Sequence, residues 1–191
     1  KIDYLLLEIG NFYYIQNDLE KALNYYNKAL KLNSNSFVLL NNIGLVYLAV
    51  NQFENAISFF SKSLQINRNY INALINRSVC FNKLNNYNDA IKDCEKIIKL
   101  DPKFASAYNN LGWAYHIKGN NEKAITNYKI ALELQPNYLD TINNLGGAYF
   151  NLGDKKLAAE YFKKSLEIDP QNTETFRSLV LNKGIDIKDI R

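Results

Sequence analysis

Leu111-Gly112-Trp113-Ala114-Tyr115 returns along this chain at a fixed step. Its counterparts are Ile9-Gly10-Asn11-Phe12-Tyr13, Ile43-Gly44-Leu45-Val46-Tyr47, Arg77-Ser78-Val79-Cys80-Phe81 and Leu145-Gly146-Gly147-Ala148-Tyr149. The small residue recurs every 34 residues, an aromatic follows it by three, and alanine follows by twelve at Ala22, Ala56, Ala90, Ala124 and Ala158. Self-similarity at one period outranks every other signal, because it means one supersecondary unit repeated in tandem. Length then reports the number of units and not the size of a single round core.

Counted from Asp3, the units are 3–36, 37–70, 71–104, 105–138 and 139–172. In the fourth, Ala107, Tyr108, Leu111, Ala114 and Tyr115 recur at spacings of three and four, which predicts a helix over about the first fourteen positions. A short turn follows, such as Gln16-Asn17-Asp18 or Lys118-Gly119-Asn120. Its Gly, Asn and Asp residues suit a left-handed helix end and can cap the next helix. Ala124, Ile125, Tyr128, Ala131 and Leu132 form the apolar stripe of a second helix. That helix stops at Asp101-Pro102, Gln135-Pro136 and Asp169-Pro170, because proline cannot continue it. The first two units carry Ser34 and Arg68 instead, which predicts less firmly fixed turns there. The aromatics are expected to wedge against the neighbouring hairpin. One hairpin cannot bury its apolar faces alone, so stacking and an end cap are expected. Residues 173–182, with Phe176, Leu179 and Val180 on one side, read as the capping helix, and 183–191 as a tail.

The order Leu111, Gly112, Tyr115, Ala124, Tyr128, Ala131, Pro136 resembles the tetratricopeptide repeat, as does Leu145, Gly146, Tyr149, Ala158, Phe162, Pro170. The resemblance runs through essentially the whole chain. It implies an all-α fold, a right-handed α-solenoid of five helix-turn-helix units whose first helices line a concave groove. It also implies a general role in holding partner peptides or proteins.

On that resemblance, positions 2, 5, 6, 9, 12 and 13 of each unit face the groove. Position 6 reads Glu8, Asn42, Asn76, Asn110, Asn144, and position 5 reads Leu7, Asn41, Ile75, Asn109, Asn143. A line of side-chain amides suits an extended backbone, whose N–H and C=O groups need partners once water is displaced. It is similar to the asparagine ladder of the O-linked N-acetylglucosamine transferase superhelix. The chain holds 29 asparagines, so biased composition is the competing explanation. Interleaved with them are Tyr14, Leu45, Leu48, Trp113, His116 and Phe150 at positions 9 and 12. Trp113, the one tryptophan, reads either as an anchor in the groove or as packing between helices. His116, the one histidine, reads as a polar groove residue, since no second ligand or acid sits at metal or triad spacing.

Other classes fit poorly. Net charge is +4 with Lys and Arg interspersed among Asp and Glu, which argues against a nucleic-acid stripe. No apolar run is long enough to span a bilayer. No phosphate-cradling loop, paired-His helix or nucleophile elbow occurs, so no catalytic residue, metal or cofactor is expected. Cys80 and Cys94 fall on apolar faces of one unit and read as reduced core thiols of a cytoplasmic protein, with a disulfide as the alternative. Asn76-Arg77-Ser78 resembles the centre of chaperone-binding domains of this family. The Lys, Asn, Lys and Arg that grip a chaperone's C-terminal carboxylate are replaced by Asn41, Leu45, Ser106 and Asn110. The chain opens on Lys1 and lacks methionine, which reads as a segment of a longer protein. The leading expectation is a scaffold for an extended, largely neutral peptide. A substrate-recruiting part of a larger enzyme, such as a glycosyltransferase, and a self-associating solenoid are the alternatives.

Overall fold

A computed structural model describes residues 2–170; the capping helix expected over 173–182 and the tail lie outside them. Ten helices occur among the described residues. They are α1 (Ile2–Ile15), α2 (Leu19–Leu32), α3 (Phe37–Ala49), α4 (Phe53–Ile66), α5 (Ile71–Lys83), α6 (Tyr87–Leu100), α7 (Ala105–Ile117), α8 (Asn121–Leu134), α9 (Leu139–Asn151) and α10 (Lys155–Ile168). Consecutive pairs form five hairpins, an all-α solenoid architecture. Two compact units divide after Leu100: hairpins 1–3 make the first, hairpins 4 and 5 belong to the second.

Each hairpin turns in the same way. Asn17, Asn51 and Asn85 have φ near +60°, and Gly119 and Gly153 take the same place at φ +79° and +85°. The residue after each sends its N–H back to the carbonyl of the repeated aromatic: Asp18 to Tyr13, Gln52 to Tyr47, Asn86 to Phe81, Asn120 to Tyr115 and Asp154 to Tyr149, at 2.8–3.0 Å. This is the left-handed helix end in which asparagine and glycine are the tolerated residues. Asp18, Asn120 and Asp154 then cap the next helix by accepting from Lys21, Lys123 and Leu157 backbone N–H.

Between hairpins, Ser36, Tyr70, Phe104 and Tyr138 each donate to the carbonyl three residues back, at 3.1–3.4 Å. The turns lacking proline close with the same bond as the others. Ser36 Oγ accepting from Leu39 N–H, and Asn67 Oδ1 from Asn69 N–H, supply local restraints there.

The small position explains how closely the two helices of a hairpin approach. A Cβ on Gly10, Gly44, Gly112 or Gly146 would stand 2.5–2.8 Å from the ring of Tyr26, Phe60, Tyr128 or Phe162, sixteen residues on. These four rings are fully or almost fully buried. Hairpin 3 departs as a pair, with Ser78 where the others have glycine and Cys94 where they have a ring. Both are buried, and Ser78 Oγ, whose proton goes to Ile75 O, is left to accept from the Cys94 thiol. The cysteines are free thiols, and burial pushes each up to about 12.

The repeated aromatic packs against the preceding hairpin, as Tyr47 does in the cluster of Tyr26 and Ala29 and Tyr149 in that of Ile125 and Tyr128, and it also stacks within its own hairpin. Tyr13 stacks on Tyr25, Tyr47 on Phe59 and Tyr149 on Tyr161, each within its own hairpin at 5.3–5.6 Å. Residues twelve apart on two antiparallel helices meet across the turn, so the stack is local. Within each unit the second helix of one hairpin packs on the first helix of the next, and successive first helices also touch, α3 with α5 and α7 with α9. That adjacency brings the asparagine positions together.

Candidate functional site

The first helices present their asparagines as linked amides. In the first unit Asn76 Nδ2 donates to Asn41 Oδ1 at 3.1 Å, and Asn41 Nδ2 donates to Asn42 Oδ1 at 3.3 Å. Asn42 Nδ2 in turn donates to Asn11 Oδ1 at 2.9 Å. Four amides from α1, α3 and α5 thus form one chain. The second unit repeats the motif: Asn144 Nδ2 donates to Asn109 Oδ1 at 3.1 Å, and Asn109 Nδ2 to Asn110 Oδ1 at 3.4 Å. Thr141 Oγ1 donates to the same Asn109 oxygen at 3.0 Å.

The two asparagine registers therefore differ. Asn41 and Asn109 are 3% and 6% exposed and have their amides committed to neighbouring side chains. Asn42, Asn76, Asn110 and Asn144 are half-buried and stand over them. Adjacent helical residues point about 100° apart, so only one of each pair faces outward. Asn143 is half-buried as well.

Near this chain in the first unit, Tyr14, Asn42 and Leu45 meet Asn11, Ile15 and Tyr26 around an open cavity of about 290 Å³. Tyr26 hydroxyl donates to Asn11 Oδ1 at 2.9 Å, and burial pushes its phenol up to about 12. Sequence reading placed Tyr14, Leu45 and Asn42 in the site, with Asn11 and Ile15 at groove positions 9 and 13, but omitted Tyr26. Tyr26 was findable, since it falls in register with Phe60, Tyr128 and Phe162. The fully buried Tyr128 hydroxyl finds no hydrogen-bond partner among the described residues. Its hairpin carries Trp113 where hairpin 1 carries Asn11, and an indole offers no acceptor.

Trp113 is 38% exposed, with its ring 6.1 Å from that of His116. His116 Nδ1 lies 2.8 Å from Asn121 Oδ1, which assigns the proton to Nδ1, and Asn151 Nδ2 approaches Nε2 at 3.4 Å. Both ring nitrogens thus have amide neighbours. Leu48 is half-buried, and Phe150 packs against the core of hairpin 5 around Ala158 and Phe162.

Arg77 is turned away from ligand chemistry. Its Nε and Nη2 bind both oxygens of the buried Asp93 carboxylate at 2.8 and 2.7 Å, its Nη1 donates to Ser61 at 3.0 Å, and its guanidinium lies over Phe81. Among the described residues, no group of three His, Cys, Asp or Glu could hold a metal ion, and no helix is long and apolar enough to cross a membrane.

Known structures share this architecture. A crystal structure of MamA is 25% identical, with 91% of this chain and 94% of that one aligned at a TM-score of 0.75. A MamA fragment from Desulfovibrio magneticus RS-1 is also 25% identical, over 89% and 96%, with a TM-score of 0.80. YrrB, a TPR protein with an unusual peptide-binding site, is 22% identical over 91% and 89% with a TM-score of 0.71, a likeness of fold. No curated protein matches the chain. Family profiles described as tetratricopeptide repeat match residues 37–70, 71–104 and 103–171, and one described as TPR repeat matches 10–51. With matches running from residue 10 to residue 171, the chain belongs to the tetratricopeptide repeat family.

Proposed function

We propose that this chain is a non-catalytic interaction scaffold whose asparagine ladder holds an extended, largely neutral peptide segment. The spare capacity of the ladder amides carries the reading. Asn42, Asn76 and Asn144 each spend one N–H on the hairpin before. A primary amide has two N–H donors and two oxygen lone pairs, so each retains a donor and an acceptor for a peptide C=O and N–H. The buried Asn41 and Asn109 are positioning residues, and Leu45, Leu48, Tyr14, Trp113, His116 and Phe150 flank the ladder. YrrB, of like fold, has a peptide-binding site by its own description, so the fold is compatible with one. Chaperone C-terminal tails are poor candidates, because neutral Asn41, Ser106 and Asn110 stand where the carboxylate clamp needs cations.

Peptides selected from a neutral dodecapeptide library against the chain test the proposal. Replacing Asn110 and Asn144 by Ala is expected to weaken the selected peptides at least ten-fold with little change in thermal midpoint. Unchanged affinity would show that the asparagines reflect composition alone.

A second reading, self-association, is favoured by α1. Leu5 and Phe12 are 60% and 58% exposed, whereas their register counterparts Leu39, Ala73, Ala107 and Thr141, and Val46, Cys80, Ala114 and Ala148, are all buried. A solution mass that rises with concentration, and falls to monomer in Phe12→Glu, supports it. A strict monomer up to high concentration rejects it.

A further inference from the structure

The cavity of the first unit has chemistry that selects what enters it. Tyr14, Ile15 and Leu45 supply apolar walls, and Ile15 at the rim is 78% exposed. At the floor, the Tyr26 hydroxyl and Asn42 Nδ2 both donate to Asn11 Oδ1 at 2.9 Å, which fills both lone pairs of that oxygen. None of the six lining residues carries a charge. The carboxylate of Glu8 lies 3.5 Å from Asn11 Nδ2, so an entering carboxylate or phosphate would meet a like charge. A cavity of about 290 Å³ has room for one large side chain such as leucine or tyrosine.

The ladder adds a direction. Three ladder amides turn their nitrogen toward the preceding hairpin: Asn76 to Asn41, Asn42 to Asn11, and Asn144 to Asn109. In an extended strand, the N–H and C=O of one residue point to the same edge, with the N–H on the N-terminal side. A strand residue paired with such an amide must bring its carbonyl to Nδ2 and its N–H to Oδ1. Its C-terminal side then lies toward the preceding hairpin.

We infer that the first unit takes an extended peptide running from hairpin 3 toward hairpin 1, whose large uncharged side chain, just C-terminal to the backbone held by Asn42, fills the cavity of Asn11, Tyr14, Ile15, Tyr26, Asn42 and Leu45. The inference rests on the ladder reading and adds to it a polarity and a residue class.

The test uses the full chain and dodecapeptides selected from a library lacking Asp, Glu, Lys and Arg. Selected peptides are expected to share one Leu, Ile, Phe or Tyr, whose replacement by Ala or Glu weakens binding at least ten-fold. Ile15→Glu, at an exposed position that leaves packing untouched, is expected to weaken the parent peptide equally and its Ala derivative hardly at all. A nitroxide on the peptide C-terminus is expected to broaden the Asn17 amide resonance, and one on the N-terminus the Asn85 resonance. Binding that depends on Asn42 but ignores Ile15→Glu overturns the pocket and leaves the ladder standing. Broadening in the reverse order overturns the polarity. Binding indifferent to Asn42→Ala, or no recovered binder, overturns the inference and the ladder together.

Discussion

The place where Gly112 would carry a Cβ lies 2.6 Å from Cε1 of the fully buried Tyr128, so the ring occupies the space the glycine leaves. Gly147 is also helical, but nothing stands within 4 Å of its missing Cβ. Gly112→Ala should therefore cost about 1–3 kcal/mol through overpacking. Gly147→Ala should stabilise by about 0.5–1 kcal/mol through helix propensity. Thermal unfolding of the two single variants, scored for opposite signs, checks both.

Hairpin 3 replaces the glycine–ring pair with Ser78 and Cys94, both buried. Cys94→Phe alone should overpack against Ser78, and Ser78→Gly alone should lose the hydroxyl's bond to Ile75 O. Together they recreate the pair of Gly44 and Phe60. A double-mutant cycle in urea should give a favourable coupling of about 1–3 kcal/mol. Simple additivity would mean that the two positions do not share one volume.

Arg77 and Asp93 stand where other hairpins have an aliphatic residue and, in three of them, an aromatic ring. The Asp93 side chain is 8% exposed and that of Arg77 22%. Arg77→Leu should cost about 3 kcal/mol, because it strands a buried carboxylate. Arg77→Leu with Asp93→Tyr restores the pattern of hairpin 5 and should recover most of that loss. Denaturant midpoints for the single and double variants decide it.

Burial raises Cys80 and Cys94 from 9.0 to about 12. Below pH 9 the thiols are protonated in both folded and unfolded chains and their full contribution to stability is present. Between about pH 9 and 12 the unfolded chain releases protons that the folded one keeps, so stability falls as pH rises, by up to about 1.4 kcal/mol per pH unit for each thiol. Thermal midpoints at pH 7.5 and 10.5 should show that fall, and Cys80→Ala with Cys94→Ala should reduce it. Neither thiol should react with a disulfide reagent at pH 8 until the chain is unfolded.

Much of this was legible along the chain because it is local. A left-handed residue two places past the end of each first helix needs Asn or Gly, and Asn17, Asn51, Asn85, Gly119 and Gly153 were readable at that place from spacing alone. The apolar stripe of each second helix was readable for the same reason. Other features were not. Nothing in the order of residues says that Tyr13 stacks on Tyr25 of its own hairpin, or that Arg77 is consumed by Asp93, because both depend on which side chains two helices bring face to face.

The asparagines show where the division falls. Periodicity placed Asn41-Asn42 and Asn109-Asn110 on first helices and in matching registers, since hydrogen bonding within a helix sets its pitch whatever surrounds it. Only the stacked fold made Asn41 and Asn109 buried struts and left their neighbours half-exposed. Which side of a helix loses water is set by the next hairpin, and that contact joins residues about 34 positions apart.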